Sequence, residues 1–127
     1  MRNFETPWDF FIEKDFGNHK LKYVNLMEVA MGGPEVGNII IDNSRESSSK
    51  YGGPAVSDGV FLYIPIFRRT IFNSSFRICR VNMVTLEVET FGKNKNVILI
   101  DRIDNNILYY FEDEEKTTEL IFRLPEY

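Results

Sequence analysis

Apolar and polar residues alternate with a period of two along most of this chain, and that alternation predicts strands. Residues 20–31 carry it with one change of phase: Leu21 and Tyr23 share one face, then Val24 and Leu26 the other. A bulge accounts for such a switch, and a helical turn near Met27 is the alternative. Asn38-Ile39-Ile40-Ile41-Asp42 is a short apolar strand between turn formers. Val60 to Phe67 is apolar on both faces, the mark of a strand covered on both sides, although Pro65 demands a bulge or an edge position there. Phe76 to Met83 and Leu86 to Phe91 predict a hairpin turning near Asn82–Thr85. Val97 to Ile103 and Ile107 to Phe111 predict another across Asp104-Asn105-Asn106, and Leu120 to Leu124 makes a last strand.

Only the first element departs from this pattern. Thr6 can cap, Pro7 suits the first helical position and Asp9 favours a helix N-terminus. Trp8, Phe11, Ile12 and Asp15 then fall on one face, and Gly17-Asn18 supplies a stop. The expectation is a mainly β chain, an antiparallel meander forming a sandwich, barrel or propeller-like sheet, with one short N-terminal helix. At 127 residues it fits a single β-rich domain over 1–127.

Two short segments repeat. Gly32-Gly33-Pro34-Glu35-Val36 recurs as Gly52-Gly53-Pro54-Ala55-Val56. Two copies are too few for a solenoid, so each is read as a rigid turn that aims a strand. Asn43 to Lys50, rich in serine, reads as a mobile polar loop.

Composition sharpens the picture. Aromatic residues make up 14% of the chain, with eleven Phe and six Tyr, which strengthens the expectation of sheet. A net charge of −4 argues against a general nucleic-acid or anionic-membrane binder and is compatible with a basic protein partner. The single cysteine, Cys79, cannot pair within the chain, and the N-terminus carries no signal-like apolar run, so a cytoplasmic location is expected.

The candidate chemical motifs fail one by one. Gly32 to Gly37 has the glycine spacing of a phosphate-binding loop, but Asn38 stands where that loop needs lysine and Pro34 removes a donor. Ser47-Ser48-Ser49-Lys50 matches a Ser-x-x-Lys pattern inside a Ser-rich loop, without the supporting Lys-Thr-Gly triplet. His19 is the only histidine and sits in a turn; one His and one Cys are poor support for a zinc site. No cofactor signature is present. Arg68, Arg69, Arg77 and Arg80 frame the segment Thr70 to Ser75 beside Phe67, Phe72 and Phe76. They could grip carboxylates or stack on bases; solubilising charge at two strand ends is the preferred reading. The carboxylates Asp101, Asp104, Glu112, Asp113, Glu114 and Glu115 cluster around the last hairpin, near Tyr109 and Tyr110.

In size and charge balance the whole chain resembles bacterial toxin-immunity proteins of the contact-dependent growth inhibition type. That resemblance implies a non-catalytic inhibitor that neutralises a cognate toxin, such as a nuclease, by masking a basic surface. On that reading Asp101, Asp104, Tyr109, Tyr110, Glu112, Asp113, Glu114 and Glu115 are the expected partner-binding residues. Two other classes stay open. A small-ligand or carbohydrate-binding β-module predicts a concave aromatic-lined pocket using Tyr side chains or Trp8. A carboxylate-dependent hydrolase requires two acids converging in one cleft.

Overall fold

The computed structural model describes residues 5–113, 116 and 118–125. Among them the regular structure is entirely strand. The first four strands are β1 (Glu13–Phe16), β2 (His19–Glu28), β3 (Glu35–Ile41) and β4 (Lys50–Tyr51). Next come β5 (Val56–Ser57), β6 (Phe61–Arg69), β7 (Ser74–Asn82) and β8 (Val88–Lys95). The chain closes with β9 (Leu99–Asp104), β10 (Ile107–Phe111) and β11 (Leu120–Arg123). All pairings are antiparallel. One sheet runs β1-β2-β3-β4-β6-β7-β8, with β5 also on β6, and a second runs β11-β10-β9. No described helix is long and apolar enough to cross a membrane.

The two-faced apolar run at β6 organises both cores. Leu62, Ile64 and Ile66 point into one cluster with Leu21, Tyr23, Ile39 and Ile41 from β2 and β3, and with Cys79 and Val81 from β7. For β2 and β3 to reach the same face of β6 and β7, the larger sheet must curl over itself. Phe61, Tyr63 and Phe67 point the other way, into a cluster with Phe76, Ile78, Ile98, Ile100 and Leu108. There the small sheet packs on the back of the large one, so β6 is covered on both sides.

Pro65 sits inside this central strand, neither at an edge nor at a bulge. It pairs with Ile78 of β7 in unbroken register. Its carbonyl accepts from Gly52 N at 2.8 Å, so the position of its missing N–H faces the same neighbour. That neighbour is interrupted between β4 and β5, and no ladder bond is lost. The phase change in β2 is a bulge, as one of the two sequence expectations has it: the register shifts between Val24 and Met27, with Asn25 at φ 54°.

The expected N-terminal helix is replaced by a turn and a strand. Thr6 Oγ1 does accept from Trp8 N and Asp9 N, at 3.2 and 3.1 Å, but Thr6 and Asp9 then close on each other through two backbone bonds. The chain extends instead of winding, and Tyr23 N donates to Ile12 O. Phe11 and Ile12, apolar-face residues of the expected helix, are 65% and 50% exposed, while Phe10 is buried. Phe10 stacks on Tyr23 with ring centroids 4.7 Å apart, and a Cβ on Gly53 would lie 2.5 Å from its ring. Glu5, also buried, accepts from Phe11 N and pairs with Lys14. Tertiary burial of one ring and one ion pair overrides a local helix signal only a few residues long.

The Gly-Gly-Pro copies diverge in role. The first makes the solvent-facing β2–β3 turn, closed by Gly33 N donating to Ala30 O at 2.7 Å. The second lies in the core beside Phe10, and its Gly52 carbonyl accepts from Tyr23 Oη at 2.7 Å.

Candidate functional site

The concave face of the curled sheet opens to solvent beside the segment that follows β3. Asp42 and Asn43 turn the chain there in left-handed conformations. The Asp42 carboxylate accepts from His19 Nδ1 and from Lys20 N, bonds that hold its pKa below the ordinary value. Beyond this anchor, Ser47 acts as a substitute strand partner for β3. Its N–H donates to Ile39 O at 2.8 Å and its Oγ accepts from Ile39 N at 2.8 Å.

Asn38, buried in β3, secures the same segment from below. Its Nδ2 donates to Ser47 O and Ser49 O at 2.9 and 3.1 Å. Its Oδ1 accepts from Asn25 Nδ2 at 3.1 Å and from Lys50 Nζ at 2.8 Å. The serine-rich stretch read as a mobile loop is therefore bonded along its length. Lys50 points to Asn38 and to Asn25 O, while Ser47 Oγ donates to Ser49 O. Ser47 and Lys50 thus serve the loop's architecture, and no Ser–Lys bond joins them.

This bonded loop forms one wall of a cleft of about 500 Å³. Ile39, Ile41, Ile66 and Val81, all members of the inner core, make its floor. Leu86, Val88 and Thr90 make the opposite wall. Leu86 and Val88 are 37% and 43% exposed, so the apolar lining continues outward from the floor. Tyr51 lines the cleft beneath Arg68; burial pushes its hydroxyl pKa up to about 12, Cys79 adds to the rise and Arg68 opposes it. The one lining carboxylate, Glu46, accepts from Asn25 Nδ2 at 2.6 Å. Burial also raises the Cys79 thiol pKa, which keeps it an unreactive core side chain.

Arg68 and Thr90 are shared with a second recess of about 320 Å³, whose lining includes Arg77, Ser75 and Asn94. The four arginines singled out in the sequence therefore divide. Arg80 is buried between Phe61 and Phe91, 4.2 and 5.3 Å from their ring centroids, and bonds Glu89. Arg69 donates to Val29 O. Arg68 and Arg77 point to the concave side.

The acidic and tyrosine residues expected to bind a partner are spread over the small sheet. Asp101 sits at the β9 bulge and bonds Arg102 Nη1 at 2.6 Å. Arg102 also bonds Glu119 at 3.0 Å and lies 4.0 Å from the Tyr109 ring centroid, joining them on one exposed face with Ile121. Tyr110 turns inward against the second core cluster. Asp104 is exposed at the β9–β10 turn, and Glu112 pairs with Lys95 at 2.7 Å. Asp113 follows β10, and Glu114 and Glu115 lie outside the described residues. Trp8 is not part of the cleft lining, and its Nε1 donates to Gly32 O at 3.1 Å. Among the described residues no three His, Cys, Asp or Glu side chains gather as metal ligands would.

Neither the cleft nor Asn38's role was singled out in the sequence. The available signal was Asn38 itself, an amide within an otherwise apolar run, which needs several partners once buried. No protein-family model, curated protein or solved structure matches the chain.

Proposed function

We propose that this chain is a binding module whose site is the cleft at the open end of the curled sheet, and that its ligand is a small molecule with an apolar body. One observation carries the reading: four aliphatic side chains of the inner core, each only 1–4% exposed, lie at the floor of a cleft of about 500 Å³. Ligand sites of this size are mostly apolar with a few polar groups for orientation. The apolar part of the lining is aliphatic with Tyr51 as its aromatic, and it faces a polar wall of four serines with Arg45, Glu46 and Arg68; that division favours an alkyl or alicyclic body carrying polar groups over a stacked sugar.

The test is uptake of a neutral fluorescent probe, N-phenyl-1-naphthylamine, by the wild-type chain and by Val88→Trp. The indole projects from an exposed wall position into the cleft, so the fold is expected to keep its melting temperature while probe affinity falls at least about tenfold. Equal uptake by both proteins would place the probe elsewhere and remove the support for this site.

The toxin-neutralising inhibitor remains the second reading, favoured by the exposed face of Tyr109, Arg102 and Ile121 on the small sheet. Tyr and Arg are over-represented at the anchors of protein interfaces. Co-purification with the product of an adjacent toxin-like reading frame is the appropriate assay. Tyr109→Ala is expected to weaken such a complex by about 2 kcal/mol or more. An unchanged complex would exclude this face as the contact.

A further inference from the structure

Arg77 is held in an unusual state for a cation. Its Nε is shielded from solvent and has no hydrogen-bond partner. Arg68, beside it on the same face of the β6–β7 hairpin, also makes no hydrogen bond or ion pair among the described residues; its electrostatic influence falls on Tyr51 and Cys79. Buried donors are almost always satisfied, and an arginine that is not is a candidate for a missing partner.

The backbone makes room for that partner. β8 pairs with β7 at Ile78↔Phe91 and resumes only at Phe76↔Lys95, so five residues of β8 span what three residues of β7 span, near Gly92 at φ 72°. This bulge lies opposite Arg77 and opens the recess lined by Arg68, Arg77, Ser75, Thr90 and Asn94. The described lining contains two guanidiniums, neutral polar side chains and no carboxylate, in a chain whose net charge is −4. The recess is thus a local reversal of the protein's charge.

We infer that this recess takes the oxyanion head of the ligand whose apolar body occupies the adjoining cleft, so that the protein selects an anionic amphiphile. The inference rests on the cleft reading above and names the class of ligand. Arg68 and Thr90 belong to both cavities, which places the head within reach of a body lying on Ile66 and Val81. Planar guanidiniums bind carboxylates and phosphates through paired charge-assisted bonds, and both Arg68 and Arg77 line the recess.

Decanoate and decan-1-ol, which differ in the head alone, are titrated below micelle-forming concentration, with decyl phosphate as a third arm. The Arg77 Nε–H NMR resonance is followed beside the affinity. Decanoate or decyl phosphate is expected to bind at least about tenfold more tightly than decanol and to shift that resonance; the tighter of the two identifies the head group. Arg77→Gln, outside the cleft lining, should remove most of that preference while leaving decanol affinity unchanged, and Arg68→Gln should likewise lower the ratio of anion to decanol affinity. Arg68 is exposed, so its variant keeps the test intact if Arg77→Gln impairs folding. If the anions bind no more tightly than decanol, the head-group site is overturned and the apolar cleft stands. If no amphiphile responds to Val88→Trp but inorganic phosphate shifts the Arg77 signal, the cleft reading is overturned and the anion site survives alone. Absence of both responses overturns both.

Discussion

Ile64→Ala is expected to lower the free energy of unfolding by about 3–4 kcal/mol, the range for truncating a fully enclosed aliphatic side chain. Ile64 is wholly buried at the middle of β6, opposite Cys79, in the cluster that joins β2 and β3 to β6 and β7. Its neighbours belong to strands paired on both sides, so they are poorly placed to collapse into the space left behind. Against a typical total of about 5–15 kcal/mol, the loss is large. Urea denaturation would read it as a lower midpoint at nearly constant slope. Ile121→Ala, on a side chain 53% exposed, should stay within about 0.5 kcal/mol. Should Ile64→Ala fail to fold, Ile64→Val should still cost about 1 kcal/mol. A negligible change in both variants would show that the two halves of the curled sheet are not packed together.

Asn38→Leu is expected to cost about 2–3 kcal/mol and to loosen the wall of the cleft. All four hydrogen-bonding capacities of the Asn38 amide are used: two donors to Ser47 O and Ser49 O, two acceptor sites for Asn25 and Lys50. A leucine of similar size leaves Ser47 O without a donor, while Ser49 O keeps Ser47 Oγ and the ammonium of Lys50 keeps Asn25 O and reaches water. The consequence beyond stability is local. Ile39 N and Ser47 N, which hold the loop against β3, should exchange their hydrogens faster in the variant than in the wild type, relative to amides of the small sheet. Probe affinity in the cleft should fall with them. Exchange at Ile39 and Ser47 as slow as in the wild type would mean that the loop is held by something other than Asn38.

Asn38 stands where a phosphate loop needs lysine, and its amide nitrogen is consumed by the chain's own carbonyls. The Ser-x-x-Lys residues are likewise taken up by the loop's architecture. Ser47 and Lys50 are both ordered by hydrogen bonds, yet they serve β3 and Asn38. The acidic hairpin was legible as a location, because turn residues at 104–106 fixed the β9–β10 connection. Its side chains could not be assigned to faces from spacing alone. Tyr109 and Tyr110 are consecutive strand residues and face opposite sides, one ring with Arg102 outside and the other against the core, while the bulge at Asp101 shifts which β9 residue each one meets.

The sequence by itself determined that this chain is mainly antiparallel β, and it marked β6 as apolar on both faces and β2 as changing phase, by a bulge or a helical turn. A period of two, a doubly apolar run and a change of phase are local properties, written in consecutive residues. Only the tertiary structure decided the extended N-terminal segment, the tolerance of Pro65 and the open cleft. Phe10 leaves a helical face because Tyr23 and Gly53 receive its ring, and Pro65 is accommodated because β4 and β5 break beside it. The cleft exists because Gly37 meets Tyr51 and Tyr51 meets Ile66, pairings that bend the sheet and bring Ser47 and Val88 to facing walls. Contacts between residues so far apart in the chain carry no local period, so they become visible only once the strands are paired.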